Sequence, residues 1–226
     1  MRQAYQISLS YLGDNGSKMC DIASNCLRDA TKAMLDTDLS LAEAVIASDV
    51  QLDEMRAIAE THAMELLALQ SPVASDLRTV VSALWIVADL QRMGALAIHV
   101  AKAARRRHPA PVIPAQLRPI IERMGSVGVH LADQAGVVLR TRDVELARRL
   151  EQEDELMDDL QRQMFAAMLS PTWSHGVAAA VDISLLVRFY ERFADHAVAV
   201  ARRVIFLVTG ENVGGDTTPA LTAPER

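Results

Sequence analysis

The chain has 226 residues, of which 50% are hydrophobic and only 4% are aromatic, and its formal net charge is −6. This length allows one large domain or two small ones, with a core built mostly from Ala, Leu, Val, Ile and Met, a composition typical of closely packed helices. The acidic balance argues against nonspecific binding to nucleic acid, so we expect no nucleic-acid partner.

Cysteine usage and hydropathy indicate a cytoplasmic protein. Cys20 and Cys26 are six residues apart, a spacing that keeps two helical side chains from pairing, and we expect reduced core thiols. The N-terminus lacks the apolar run of a signal peptide, and no uncharged apolar stretch of about 18 residues occurs, so we expect no direct membrane insertion. The most apolar segment, 176–187, is interrupted by Asp182 and predicts a buried helix.

Three long helices are predicted in the first half of the chain. Helical periodicity runs over residues 5–35 and 39–69, with Asp38 as the N-cap of the second helix. Pro72 ends that pattern and suits the first turn of a third helix that extends to Arg107. A helix of this size is roughly 50 Å long, which is typical of helical bundles.

A proline-rich stretch, 108–114, separates this half from a second half with the same plan. Further helices are predicted over 114–139, 144–169 and 175–208, with Pro119 moving the true start of the first of them a few residues later. The tail from 209 is rich in Gly, Thr and Pro and is expected to be disordered. The predicted organisation is a bundle over 1–108, a connector over 109–113, a second bundle over 114–208 and a tail over 209–226.

The two halves repeat. An offset of 105 residues places Asp49 on Asp154 and Asp53 on Asp158. Strict alternation of polar and apolar residues is absent, and β-branched runs are short, so no sheet is expected. The predicted fold class is therefore all-α, with two tandem, pseudo-symmetric three-helix bundles.

Glu191 and Asp195 interrupt the apolar pattern of the last helix. At a spacing of four residues they share one helix face, where two like charges are mildly destabilising without a counter-charge. In an antiparallel hairpin, Asp154 and Asp158 fall at roughly the same height on the preceding helix. Four carboxylates at one height would suit Fe, Mn, Mg, Ca or Zn, and we take these residues as a candidate metal site.

The first half carries a weaker version of this site. The same construction brings Asp49 and Asp53 near Gln91 and Ala95, so the second acidic pair is missing there. His99, one turn later, is a possible substitute ligand. A metal site in this half is expected to be weaker or absent.

Other interpretations of the acidic residues remain open. The acidic run over 151–159 is also typical of a solvated helix face, and the chain could be a structural scaffold. A ferritin-like di-iron oxidase requires Glu-x-x-His pairs, and none of the six histidines follows a Glu at that spacing. The sequence contains neither a phosphate-binding glycine loop nor a nucleophile elbow, so no catalytic residues are assigned. A metal store or a metal-dependent enzyme is the alternative function.

Two arginine clusters, 105–107 and 202–203, allow two explanations. They could form a patch for an acidic partner, or they could serve as helix-end charges that favour the negative end of the helix dipole.

The duplicated halves and their strings resemble the PhoU family of phosphate-signalling regulators. The family's Glu-Arg-Ile-Gly-Asp-like string appears here as Gln91-Arg92-Met93-Gly94-Ala95 and as Glu191-Arg192-Phe193-Ala194-Asp195, and the segment 69–78 resembles the family's stretch before the first string. The resemblance covers nearly all of residues 5–208 and is greatest to the actinobacterial, PhoY-type branch.

The resemblance implies a cytoplasmic, non-enzymatic adaptor. Family members link a Pst-type phosphate ABC transporter to a sensor histidine kinase and repress the phosphate-starvation response when phosphate is plentiful. It implies PhoR-like kinase and PstB-like ATPase partners, a homodimer, and a location peripheral to the inner face of the membrane through those partners. No cofactor is required, but some members bind Fe or Zn clusters. That property would place metal ligands at Asp154, Asp158, Glu191 and Asp195, with Asp49 and Asp53 as the partner pair of the first half.

Overall fold

A computed structural model describes the backbone of residues 2–211 and the side chains of residues 13–211, so most of the expected tail lies outside the described residues. The described part is helical and contains no strand. Its helices, in chain order, are α1 (Arg2–Asp36), α2 (Leu39–Ala47), α3 (Asp49–Gln70), α4 (Ala74–Arg107), a 3₁₀ turn (Ala115–Leu117), α5 (Arg118–Thr141), α6 (Val144–Glu153), α7 (Glu155–Met168) and α8 (Gly176–Thr209).

Two helices that the periodicity predicts as continuous are each divided in the structure. The helix predicted over 39–69 breaks at Ser48, and the one over 144–169 breaks at Asp154. Both break residues keep nearly helical dihedral angles, with φ −76° and ψ −4° at Ser48 and φ −65° and ψ −26° at Asp154. The apolar pattern therefore continues across each kink, which explains why the prediction of unbroken helices was wrong.

The helix starts near proline differ from the prediction in one case and agree in the other. α4 begins at Ala74 rather than at Pro72, because Ser71 adopts the left-handed conformation at φ 44° and Val73 is extended. α5 begins at Arg118, later than residue 114, with Pro119 in its first turn as expected.

The core runs without interruption through both halves. α4 and α8 pack against each other, and α1 packs against α4 and α5, so each half contributes to a shared interior. Tyr190 of α8 is fully buried there, and its hydroxyl lies 2.8 Å from the hydroxyl of Thr31 on α1. The string that contains Glu191 and Asp195 therefore lies on a helix whose other face is buried in the core.

α4 and α8 run antiparallel along their whole length. His196 Nδ1 of α8 lies 3.0 Å from a carboxylate oxygen of Asp89 on α4, and the ring of Phe189 stacks on that of His99 at 5.0 Å. Further along, Nε of Arg107 donates a hydrogen bond of 2.7 Å to Asp182. The end of one long helix thus lies beside the beginning of the other.

This arrangement excludes one patch shared by the two arginine clusters, and the helix-end explanation applies to residues 105–107 but not to residues 202–203, because the last turn of α8 contains no basic residue. Since α4 and α8 are antiparallel, residues 105–107 and 202–203 lie at opposite ends of the helix pair and do not form one patch. Arg105 lies 3.6 Å from Glu43, Arg202 pairs with Glu151, and the guanidinium of Arg203 lies 4.4 Å from the centre of the Trp85 ring.

The apolar start of α8 is not the buried helix that its composition predicts. Ile183, Leu186 and Val187 are buried, but Val177 is 80% exposed and Val181 is 53% exposed. The segment is apolar on both faces, and the fold uses only one of them.

In the described residues, α4 alone is long and apolar enough to cross a bilayer by length and composition, with a window of mean hydropathy 1.4. Half of that window is buried inside the fold. The core helix of a bundle satisfies the same criterion, so this is weak evidence for a membrane span.

Candidate metal centre

Asp154 and Asp158 lie at the break between α6 and α7. Asp154 closes α6 and precedes α7, and Asp158 lies one turn later in the first turn of α7. Negative charges at this end of a helix interact favourably with its dipole. Asp154 is partly buried and Asp158 is exposed, so the pair extends from the protein interior to solvent.

The structure brings these two residues together with the acidic pair of α8. Burial and, to a smaller extent, the negative charges of Asp195, Asp158 and Glu191 together raise the pKa of Asp154 to about 7, while the positive charge of Arg202 opposes the change. A negative charge raises the pKa of a neighbouring carboxyl group appreciably only over short distances. The four carboxylates predicted from the sequence therefore form one electrostatic group, which we call the acidic cluster.

Glu191 already has a counter-charge from its own helix. Nη1 of Arg188 lies 2.6 Å from both carboxylate oxygens of Glu191, whose side chain is only 15% exposed. Burial and the charge of Asp195 raise the pKa of Glu191, and Arg188 and Arg192 lower it. Two arginines of α8 thus offset part of the repulsion within the acidic cluster.

The acidic cluster suits a cation electrostatically but is not a finished coordination sphere. Among the side chains of residues 13–211, no three His, Cys, Asp or Glu residues are placed to hold one ion as they stand. A bound cation would relieve the repulsion that raises the pKa of Asp154, and oxygen ligands suit hard and borderline metal ions. The charge and chemistry of the donors therefore suit a cation, but their positions in the described residues do not form a coordination sphere.

The first half replaces this repulsion with hydrogen bonds. Gln91 stands where the second half has Glu191, and its Nε2 donates a hydrogen bond of 2.9 Å to Asp53. Nε of Arg56 donates a hydrogen bond of 2.7 Å to Glu60, and Nη1 of Arg56 lies 3.5 Å from the amide oxygen of Gln91. An amide that donates to one acid removes the need for a cation at this position.

Asp49, the other acid of the predicted pair in the first half, has no hydrogen bond to Gln91 or Arg56 among those of the described residues. Its charge raises the pKa of Cys26 slightly, after the larger effect of burial, and it opposes the lowering of the His99 pKa. Burial and then Lys102 lower the pKa of His99, whose ring stacks on Phe189. His99 therefore stays near Asp49 without belonging to a group of ligands.

Three features of the site were missed by the sequence reasoning. The pairing of Arg188 with Glu191 was readable, because the two are three residues apart on one helix. The 3.0 Å contact between Asp89 and His196 depends on how the two halves cross, and the proximity of Arg202 to Asp154 depends on how α6 packs on α8. Neither leaves a signal in local spacing.

Comparison with known proteins assigns the family. The PhoU domain matches residues 17–104 and again residues 121–204, one copy in each half. The chain belongs to the PhoU family. It is 51% identical to the phosphate-specific transport system accessory protein PhoU homolog 2 of Mycobacterium tuberculosis, over 93% of this chain and 99% of that protein. It is 50% identical to PhoU homolog 1 of Mycobacterium leprae, over 97% of this chain and 99% of that protein.

Solved PhoU structures have the same architecture. The crystal structure of PhoU from Pseudomonas aeruginosa is similar with a TM-score of 0.80 and 26% identity, and the similarity covers 92% of this chain and 100% of that one. The phosphate transport system regulatory protein PhoU from Streptococcus pneumoniae has the same fold, with a TM-score of 0.83, 24% identity, and coverage of 93% and 99%. The predicted all-α fold of two pseudo-symmetric bundles is confirmed.

Proposed function

We propose that this PhoU-family chain is a non-enzymatic, cytoplasmic regulator of phosphate transport. The observation that carries the proposal is the PhoU domain match in both halves, together with relatives at about half identity that are named phosphate-specific transport accessory proteins. In this proposal the chain links a PstB-like transporter ATPase to a PhoR-like sensor kinase. It represses the phosphate-starvation response when phosphate is plentiful.

The proposed mechanism is a change in population of kinase states. Binding of the chain would favour the inactive or phosphatase state of the kinase, in proportion to its differential affinity for the two states. A rigid helical surface suits this task, because it can contact a partner without ordering a disordered segment first. We further propose that the chain works as a homodimer, which light scattering of the purified protein would test.

We also propose that the second half holds an Fe or Zn ion or cluster. Asp154, Asp158, Glu191 and Asp195 would be its ligands, and the raised pKa of Asp154 supports this assignment. The bound cation would supply positive charge to the acidic cluster. Asp49 and Asp53 remain candidate ligands of a first-half site, although the Gln91 hydrogen bond to Asp53 favours the second half.

Deletion of the gene tests the regulatory proposal. A strain that lacks the chain and its paralogues should express the phosphate-starvation genes even in high phosphate, and the intact gene should restore repression. Pull-down from a phosphate-replete membrane extract should recover the kinase or the transporter ATPase. Normal repression in the deletion strain would contradict the proposal.

A metal store or metal-dependent enzyme is the second candidate, and the acidic cluster favours it. Elemental analysis of the purified protein measures bound metal, and a variant with Glu191→Gln and Asp195→Asn should lose it. Regulation that survives this variant, together with metal-dependent turnover by the intact protein, would favour the second candidate over the first.

A further inference from the structure

A small hollow lies at the end of the core where α8 ends. Its volume is about 40 Å³, and its lining is mostly apolar. The lining includes Thr79, Ala83 and Ile86 of α4, Leu139 of α5, and Val204 and Leu207 of α8. One buried water takes about 10–15 Å³ of such space and needs polar partners, so the hollow has room for about three groups of that size and suits carbon better than water.

The opposite end of the core is closed at the equivalent positions. The offset of 100 residues between the strings at 91–95 and 191–195 places Ile183 where the hollow has Ala83. It likewise places Leu186 on Ile86, and both α8 residues are fully buried. Because alanine is smaller than isoleucine, position 83 leaves space that the helices of the bundle do not fill.

The connector after α4 contributes to the closed end. Its Val112 and Ile113 are 6% and 3% exposed and belong to the core. The tail follows α8 as the connector follows α4, and the offset of 100 residues places Ile113 on Val213. The repeat therefore supplies an aliphatic residue of the tail at the end of the core that carries the hollow.

The chain leaves α8 beside a guanidinium group that lacks a partner. Gly210 is left-handed at φ 79°, and a Cβ added there would lie 2.8 Å from Nη1 of Arg78. Among the described residues, Nε of Arg78 is buried without a hydrogen-bond partner, and no acid pairs with this side chain. Glu211 is exposed, and its backbone N–H donates to the hydroxyl of Thr209. A partly desolvated cation without a partner is costly, so this position favours a carboxylate from the segment that follows.

We propose that residues 212–216 fold back over this end of the core, with Val213 in the hollow and the carboxylate of Asp216 on the guanidinium of Arg78. Asp216 is the first acid after residue 211. Six residues reach at most about 20 Å from Gly210, which already lies against Arg78. The two glycines at 214 and 215 allow the tight turn that this path requires. The tether is short, so the entropy lost on closing it is small.

The inference goes beyond the proposed function, because it concerns how the two halves are held together. α4 belongs to the first half and α8 to the second, and the fold-back joins the start of one to the end of the other. We call residues 212–216 the strap. The strap closes one end of the shared core, and the connector closes the other. Loss of the strap should therefore loosen the last turn of α8.

Disulfide trapping in the full chain tests the position of Val213. Under mild oxidation, Thr79→Cys with Val213→Cys should form an intramolecular disulfide roughly ten times faster than Thr79→Cys with Ala223→Cys, because docking raises the local concentration of position 213 alone. Ala223 is the matched control, since it lies in the same tail beyond the strap. The native thiols of Cys20 and Cys26 are buried and do not compete.

Hydrogen exchange tests what the strap does. A chain that ends at Glu211 should exchange the amides of residues 207–210 roughly tenfold faster than the full chain, because the last turn of a helix opens easily without tertiary contacts. Val213→Asp should match the truncation, and Leu221→Asp, the control in the same tail, should leave exchange unchanged. Asp216→Asn should speed exchange to a smaller extent, and Glu211→Gln should not.

Four outcomes would overturn the inference. They are equal rates for the two cysteine pairs, a disulfide that links two chains, exchange unaffected by the truncation, and equal effects of the aspartates at 213 and 221. The tail lies outside both matched domain copies, which end at residue 204, so these tail variants keep the fold, and a thermal melt checks it. None of these measurements depends on repression of the phosphate-starvation genes, so the strap and the regulatory proposal stand or fall separately.

Discussion

Replacement of Asp154 by asparagine tests whether the ionised carboxylate of Asp154 destabilises the fold when no cation is bound to the acidic cluster. The pKa of this carboxyl is raised from 3.8 to about 7, first by burial and then by three neighbouring acids. Such a shift corresponds to about 4 kcal/mol between the two protonation states as an upper limit. Asp154 is only partly buried, and solvent screening reduces this to about 2 kcal/mol. The asparagine variant should therefore be more stable than the wild type at pH 8 in a chelator.

The sign of the pH dependence follows from the direction of the shift. A carboxyl with a raised pKa in the folded state binds its proton more tightly when folded, so its ionisation destabilises the protein as pH rises from about 4 to about 7. The advantage of the variant should be greatest above pH 7 and should vanish near pH 4, where the wild-type carboxyl is protonated. For a chain of this length, about 2 kcal/mol corresponds to roughly 4–8 °C in Tm.

Thermal melts followed by circular dichroism between pH 4 and pH 8 would measure this difference. Glu155→Gln is the matched control, because it neutralises the exposed acid next in the chain. Added Zn²⁺ or Fe²⁺ should reverse the order, since a ligand at 100 times its Kd stabilises the wild type by about 2.7 kcal/mol and the variant has lost a ligand. The reasoning would be refuted by an asparagine variant that is no more stable than the wild type at pH 8 in the chelator.

Three further predictions concern the first half and its contact with the second. Gln91→Glu should lower stability by about 1 kcal/mol, because it replaces the amide donor to Asp53 with a second acid, and adding Zn²⁺ should recover part of the loss in a thermal melt. Gly94→Ala should cost about 1–3 kcal/mol in urea unfolding, because its new Cβ would overlap a methyl group of a buried leucine on α3. A double-mutant cycle on Asp89→Asn and His196→Gln should give a coupling energy of about 1 kcal/mol, since both side chains are about four-fifths buried.

Each of these changes has a control or a contrary result. Gln51→Glu places the same substitution on an exposed residue of α3 and should leave stability within about 0.5 kcal/mol of the wild type. Gly13→Ala adds a methyl group with nothing within 4 Å, so it should not destabilise α1. A coupling energy of zero in the cycle would mean that the contact between Asp89 and His196 adds nothing to the stability of the packing of α4 on α8.

Periodicity and repetition were enough to predict the fold, whereas the predicted metal site of four carboxylates stays a prediction, because the structure shows only that three of these acids raise the pKa of the fourth. The acids of α8 share a face by their spacing, and the hairpin geometry puts Asp154 at their height whether or not the preceding helix is kinked. The kink itself was not predictable, because Ser48 and Asp154 keep nearly helical dihedral angles and leave the apolar pattern unbroken. The exposure of Val177 and Val181 was missed because composition measures how apolar a segment is and not how many of its faces have a partner.

The crossing of α4 and α8 resembles the contact between two subunits related by a two-fold axis. Asp89 and Phe189 occupy equivalent positions on the two helices, and each contacts a residue of the opposite helix, His196 and His99 respectively. In a homodimer every substitution appears twice, so both sites change together. Here one polypeptide carries both copies, and a glutamine at position 91 can coexist with a glutamate at position 191. Fusion of the halves thus allows the second-half site to keep its charged residues while the first-half site is stabilised by hydrogen bonds.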